Sequence, residues 1–147
     1  MKKKLKFLLV HGPNLNLLGT REPEIYGSLT LSQINQRLRK IATEQAITLK
    51  TFQANGEGQL IDFIHRHRNW ADALVINPGA YTHYSYALRD AIAAINIPTI
   101  EVHLSDLSKR ESFRRKSVIK AVCVKQISGL GWRSYAEGIL ELGKRLR

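Results

Sequence analysis

The run Glu101-Val102-His103-Leu104-Ser105 holds a carboxylate and an imidazole two residues apart. Side chains at that spacing on an extended strand share a face. A carboxylate beside an imidazole favours the charged ring and can orient it. The pair therefore reads as an oriented general acid for work near neutral pH, or as an ion pair closing a strand end. Arg110 and Arg114 follow, four residues apart. On a helical turn they would share a face and could clamp an anion. Balanced by Asp106 and Glu111, they also read as a surface pair. Tyr26 is the unusual group. With a reference pKa of about 10, a tyrosine is a poor base unless cations favour its ionised form. Arg21, in the same glycine- and proline-rich loop His11-Gly12-Pro13-Asn14 to Gly27, is such a cation. The other reading of Tyr26 is a ring that anchors this loop to the surface.

These groups need elements to hold them. Apolar, β-rich runs at residues 5–10, 48–53, 73–76, 99–102 and 119–124 alternate with helical patterns over 31–46, 59–68, 84–95 and 132–146. Ser28 or Thr30 would cap the first helix. Tyr84, Leu88, Ala91, Ile92 and Ile95 fall on one helical stripe. A short helical turn is expected around residues 108–115. Such alternation predicts an α/β protein with a parallel sheet covered by helices on both faces. Five strands suit a flavodoxin-like three-layer sandwich of order 2-1-3-4-5, an analogy from the element count.

Sheets of that type bind ligands beyond the carboxyl ends of the strands, at the switch point between strands 1 and 3. Asn14, Asn16, Arg21 and Tyr26 follow strand 1. Asn77-Pro78-Gly79, Thr82 and His83 follow strand 3, and His103 ends strand 4. His83 and Asp90 lie about two helical turns apart, so they are expected on one face. The spacing found in metal motifs is missing: there is no HExxH, CxxC or calcium-type acidic cluster. Cys123, the single cysteine, sits in the expected fifth strand as inert packing.

The chain has 147 residues, enough for one domain spanning 1–147 with a sizeable core. Its start, MKKKLKFLLV, is a basic tail leading into strand 1, because the apolar stretch is too short for a signal peptide. No apolar run reaches the roughly 18 residues of a membrane helix, and a reducing, cytoplasmic setting is expected. The net charge is +11, from 23 basic and 12 acidic residues, which favours anionic partners. The basic residues are scattered and few aromatics interleave with them, so solvated faces are preferred to a nucleic-acid footprint.

Taken in order, Gly12-Pro13-Asn14-Leu15-Asn16-Leu17-Leu18-Gly19, Arg21-Glu22-Pro23, Tyr26-Gly27, Asn77-Pro78-Gly79-Ala80-Tyr81-Thr82-His83, Ala87-Leu88-Arg89-Asp90-Ala91, Glu101-Val102-His103-Leu104-Ser105 and Arg110-Glu111-Ser112-Phe113-Arg114 resemble the type II 3-dehydroquinate dehydratases. The blocks span nearly the whole chain in family order. The resemblance implies anti elimination of water from 3-dehydroquinate through an enolate, giving 3-dehydroshikimate in the shikimate pathway. It implies no metal or cofactor, a flavodoxin-like fold, and a homo-oligomer, a dodecamer of trimers, with no nucleic-acid or membrane partner.

Carried over by position, Tyr26 would be the base, with Arg21 favouring its ionised form. Asn14 would help hold the enolate, and His103 would be the acid, oriented by Glu101. The backbone N–H groups of Leu104 and Ser105 would grip the substrate carboxylate. Asn77, His83 and Arg114 would hold ring hydroxyls. Asp90 would enter from a neighbouring subunit, and Arg110 would belong to a lid.

His11, Ala54, Gly56 and Asp106 depart from residues common in that family. The departure at Ala54 is expected to weaken bonding around the site or between subunits. A charge at Asp106 is expected to loosen carboxylate binding. Two other functions fit the fold or the charge. One is a module for a phosphate-bearing ligand such as a flavin nucleotide, against which Arg21 and Tyr26 stand where Ser, Thr and Gly would serve. The other is a charge-driven nucleic-acid binder, whose affinity would fall steeply with salt.

Overall fold

The computed structural model describes residues 2–147. Five strands, β1 (Leu5–His11), β2 (Ile47–Gln53), β3 (Ala73–Asn77), β4 (Thr99–Val102) and β5 (Lys125–Ile127), form one parallel sheet of order β2-β1-β3-β4-β5. The helices are α1 (Pro23–Tyr26), α2 (Leu31–Glu44), α3 (Glu57–His67), α4 (Tyr86–Ile95) and α5 (Arg133–Leu146).

The apolar runs form central strands because both faces of the sheet are covered. On β1, Phe7 and Leu9 pack toward α2 and α5, while Leu8 and Val10 pack toward α3 and α4. All four are fully buried, and each such side chain contributes roughly 1.5–3 kcal/mol by leaving water. β3 is buried from end to end. Helix α2 starts in a capping box: the Gln33 N–H donates to Thr30 Oγ1 at 3.2 Å and the Thr30 N–H to Gln33 Oε1 at 2.9 Å. Thr30, not Ser28, is therefore the cap.

Several elements differ from the sequence expectation. The fifth strand is not 119–124 but Lys125–Ile127. The apolar run serves another purpose: Ile119 is fully buried among the residues packed on α3 and α4, and Lys120–Val122 form a 3-10 turn. The edge position is left to Lys125, Gln126 and Ile127, which pair with Ile100, Glu101 and Val102. Cys123 lies outside any strand, half-buried, and burial pushes its thiol up to about 12. Residues 108–115 are not one helical turn. Two 3-10 turns, Leu107–Lys109 and Ser112–Arg114, flank an extended Arg110. His83 belongs to the 3-10 turn Gly79–His83 that precedes α4, so it shares no helix face with Asp90. Tyr84 stands outside the α4 stripe and is exposed.

The carboxyl edge is fixed by close approach of β1 and β3. His11 pairs with Gln53 on one side and Asn77 on the other. The next residue, Gly12, donates its N–H to the Asn77 carbonyl at 2.7 Å. A Cβ at Gly12 would lie 2.4 Å from the Pro78 carbonyl oxygen, so only glycine fits. No helix among the described residues is long and apolar enough to cross a membrane.

Candidate active site

A cleft opens at this edge, where the expected switch point lies. The loop after β1 brings Asn14, Arg21 and Tyr26 to it. The segment after β3 brings Asn77 and His83. Beyond β4 come His103, Leu104 and Ser105, and the 3-10 turns supply Arg110 and Arg114. Glu101 lies behind His103, fully buried. Asp90 is the expected residue that this chain does not bring to the cleft; it is exposed on α4.

Each group is held by something identifiable. Asn14 adopts the left-handed region at φ 69°, and its N–H donates to Asn55 Oδ1 at 3.0 Å. Gln53 Nε2 donates to the same oxygen and to the Gly12 carbonyl, both at 3.1 Å. Tyr81 Oη donates to the Asn55 carbonyl at 2.7 Å. Asn55 thus pins the loop start, a role no motif spacing announced. Tyr26 rides on α1, whose first residue, Pro23, has the fixed φ a helix start needs. Arg21 covers the Tyr26 ring with its guanidinium carbon 4.6 Å from the centroid. The cation on the phenol oxygen is Arg110: Nη2 donates to Tyr26 Oη at 3.2 Å, and Nη1 to Ser105 Oγ at 3.0 Å. The expectation paired Tyr26 with Arg21 alone; in the structure Arg21 faces the ring and Arg110 bonds the oxygen.

His103 Nε2 meets Glu101 Oε2 at 2.5 Å. The carboxylate also accepts from Thr82 Oγ1 at 2.5 Å, Ser117 Oγ at 2.8 Å and Gln126 Nε2 at 3.1 Å. Burial alone would raise its pKa. The hydrogen bond and charge of His103, with the hydroxyls of Thr82 and Ser117, outweigh this and hold it below the ordinary 4.5. An anion buried this deeply persists because its oxygens are saturated with donors. The bonded Nε2 leaves Nδ1 as the nitrogen of His103 without a protein partner among the described residues. His83 is lowered from 6.5, first by burial, against the raising effect of its bond to the Lys116 carbonyl.

The backbone N–H groups of Leu104 and Ser105 donate to no protein acceptor among the described residues, and both residues line the cleft. Paired free amides beside arginines suit a carboxylate. Asp106 lies off the cleft lining and caps the following 3-10 turn, accepting from Ser108 N–H at 3.0 Å and Ser108 Oγ at 2.6 Å. The Ser108 bonds hold it below the ordinary carboxyl value. Ala54 buries its methyl group among the apolar residues beneath α3. Among the described residues, no three His, Cys, Asp or Glu side chains gather as a metal site.

A flavodoxin-like sheet carrying a tyrosine, a carboxylate-paired histidine and three arginines at its switch point defines the class: an α/β protein equipped for acid–base chemistry on a small anion. The family model "Dehydroquinase class II" matches residues 5–142. The chain is 56% identical over 131 residues to a 3-dehydroquinate dehydratase of Pelotomaculum thermopropionicum, covering 89% of this chain and 91% of that one. It is 54% identical over 138 residues to one of Anoxybacillus flavithermus, covering 94% and 93%. The type II dehydroquinase structure from Butyrivibrio crossotus superposes with a TM-score of 0.93 at 44% identity, covering 95% of this chain and 97% of that one. That from Propionibacterium acnes gives 0.93 at 35%, covering 98% and 99%. The chain belongs to the class II dehydroquinase family.

Proposed function

We propose that the protein is a hydro-lyase that removes water from 3-dehydroquinate to give 3-dehydroshikimate, in the shikimate route to aromatic amino acids. The observation that carries this reading is the shared cleft. Tyr26, with a guanidinium on its oxygen and another over its ring, lines the same space as His103, which is backed by buried Glu101.

Breaking a C–H bond next to a ketone needs a base and a stabiliser for the enolate. Tyr26 takes the C2 proton as phenolate. Arg110 and Arg21 place positive charge beside that oxygen and ring. Asn14, held by Asn55, steadies the enolate oxygen, directly or through water. His103 then gives the proton of Nδ1 to the departing hydroxyl on the opposite side of the ring, while Nε2 stays on Glu101. One proton is taken and one given, so water leaves and a conjugated enone remains. The free N–H groups of Leu104 and Ser105 hold the substrate carboxylate, and Asn77, His83 and Arg114 hold ring hydroxyls. The whole of residues 1–147 serves as one catalytic domain in the cytoplasm. Subunits assemble as a dodecamer of trimers, in which Asp90, exposed on α4, approaches a neighbour's cleft.

The test is Tyr26→Phe. General-base loss is expected to cost at least about a hundredfold in turnover, with fold and substrate binding retained. A rate within about threefold of the unaltered protein would remove Tyr26 from its role.

A further inference from the structure

His11 is a buried titratable group that the mechanism above leaves unused. It ends β1, is fully buried, and sits beside Asn77 across the β1–β3 ladder. Its Nδ1 is 2.8 Å from Tyr135 Oη and its Nε2 is 2.9 Å from Asn35 Oδ1. Tyr135, on α5, is also fully buried, and Asn77 Nδ2 donates to its oxygen at 3.1 Å.

The direction of every proton in this chain follows from one backbone group. The Gly79 N–H can only donate, and it donates to Asn77 Oδ1 at 3.1 Å. That places the amide NH2 of Asn77 toward Tyr135, whose oxygen accepts there. The Tyr135 O–H proton then has one buried acceptor left to reach, Nδ1 of His11. Nδ1 must be unprotonated, so the hydrogen sits on Nε2 and is donated to Asn35 Oδ1. Burial lowers the ring's pKa to about 4, so it is neutral near pH 7.

We infer that His11 is a positioning residue: through Tyr135 it fixes the amide of Asn77 so that the second Nδ2–H is presented to the cleft as a donor for a substrate oxygen. Asn77 lines the cleft, and that N–H has no protein acceptor among the described residues. With the chain reversed, Tyr135 would donate to Asn77, whose carbonyl would turn from Gly79 and strand that N–H. The cleft would then offer a different donor pattern. The inference rests on the reading that Asn77 binds a substrate hydroxyl.

Two measurements test it. Nitrogen NMR of 15N-histidine-labelled protein near pH 7 should show His11 neutral with its proton on Nε2. A proton on Nδ1, or a charged ring, overturns the inference whether or not the protein turns over 3-dehydroquinate. In steady-state kinetics, Tyr135→Phe and His11→Phe should each raise KM for 3-dehydroquinate about three- to tenfold, the size of one hydrogen bond, with a much smaller change in kcat. In an Asn77→Ala background the same substitutions should leave KM nearly unmoved. An equal KM rise in both backgrounds means that the network does not act through Asn77, and overturns the inference. Absence of turnover by the unaltered protein would count against the proposed function and leave the NMR result to decide this one.

Discussion

Burial of His11 reaches beyond the cleft, because a neutral buried imidazole links stability to pH. The ring is held at about 4 against an ordinary 6.5. The unfolded chain binds this proton more readily than the folded one. Stability is therefore fully present above about pH 6.5 and is lost as pH falls toward 4. Those 2.5 units correspond to about 3 kcal/mol. Glu101, held below 4.5, adds loss in the same direction at lower pH. Urea unfolding of His11→Phe should thus show a flatter dependence between pH 6.5 and 4 than the unaltered protein; identical slopes would contradict the linkage. Individual residues differed in how legible they were. Tyr26, Arg21, His103 and Glu101 could be picked out because each sits within a few residues of a partner. Ser117, Asn55, Asn35 and Tyr135 could not, since their partners lie between 16 and 124 residues away. The bond of Arg110 to Tyr26 spans 84 residues and depends on how two loops meet, so no spacing in the sequence announces it.

Periodicity identifies an element where its pattern has one explanation. β1 and β3 are continuous apolar runs because both faces are covered. The fifth strand is Lys125–Ile127 and not 119–124. An apolar run can cover a helix as well as fill a strand, and here Ile119 covers α4 while the polar edge strand places Gln126 against Glu101. The two 3-10 turns at 107–114 escaped for a related reason: Arg110 and Arg114 meet the cleft through loop geometry and not through a helix face. Gly12 controls how closely β1 and β3 end. Gly12→Ala would force its methyl group against the Pro78 carbonyl, at 2.4 Å before relaxation. A cost of about 1–3 kcal/mol is expected, read as a lowered urea midpoint. A midpoint equal to that of the glycine form would show that the edge is less tightly fixed than its spacing implies.

At the scale of the whole molecule, charge and exposed surface bear on substrate and assembly. A net charge of +11 favours approach of anions to the molecule, and Arg21, Arg110 and Arg114 line its cleft. Tyr84, Tyr86 and Phe113 are 60%, 59% and 56% exposed, apolar surface that an assembly of subunits would cover. At 16.7 kDa per chain, the proposed dodecamer has a mass near 200 kDa, about twelve times the chain. Sedimentation should find it, and a stable monomer would contradict the assembly. The central claim, dehydration in this cleft, has a simpler test. Purified protein is mixed with 3-dehydroquinate, without added metal, and ultraviolet absorbance is followed. The account predicts a steady rise as the conjugated enone forms. Flat absorbance from folded, assembled protein would contradict it.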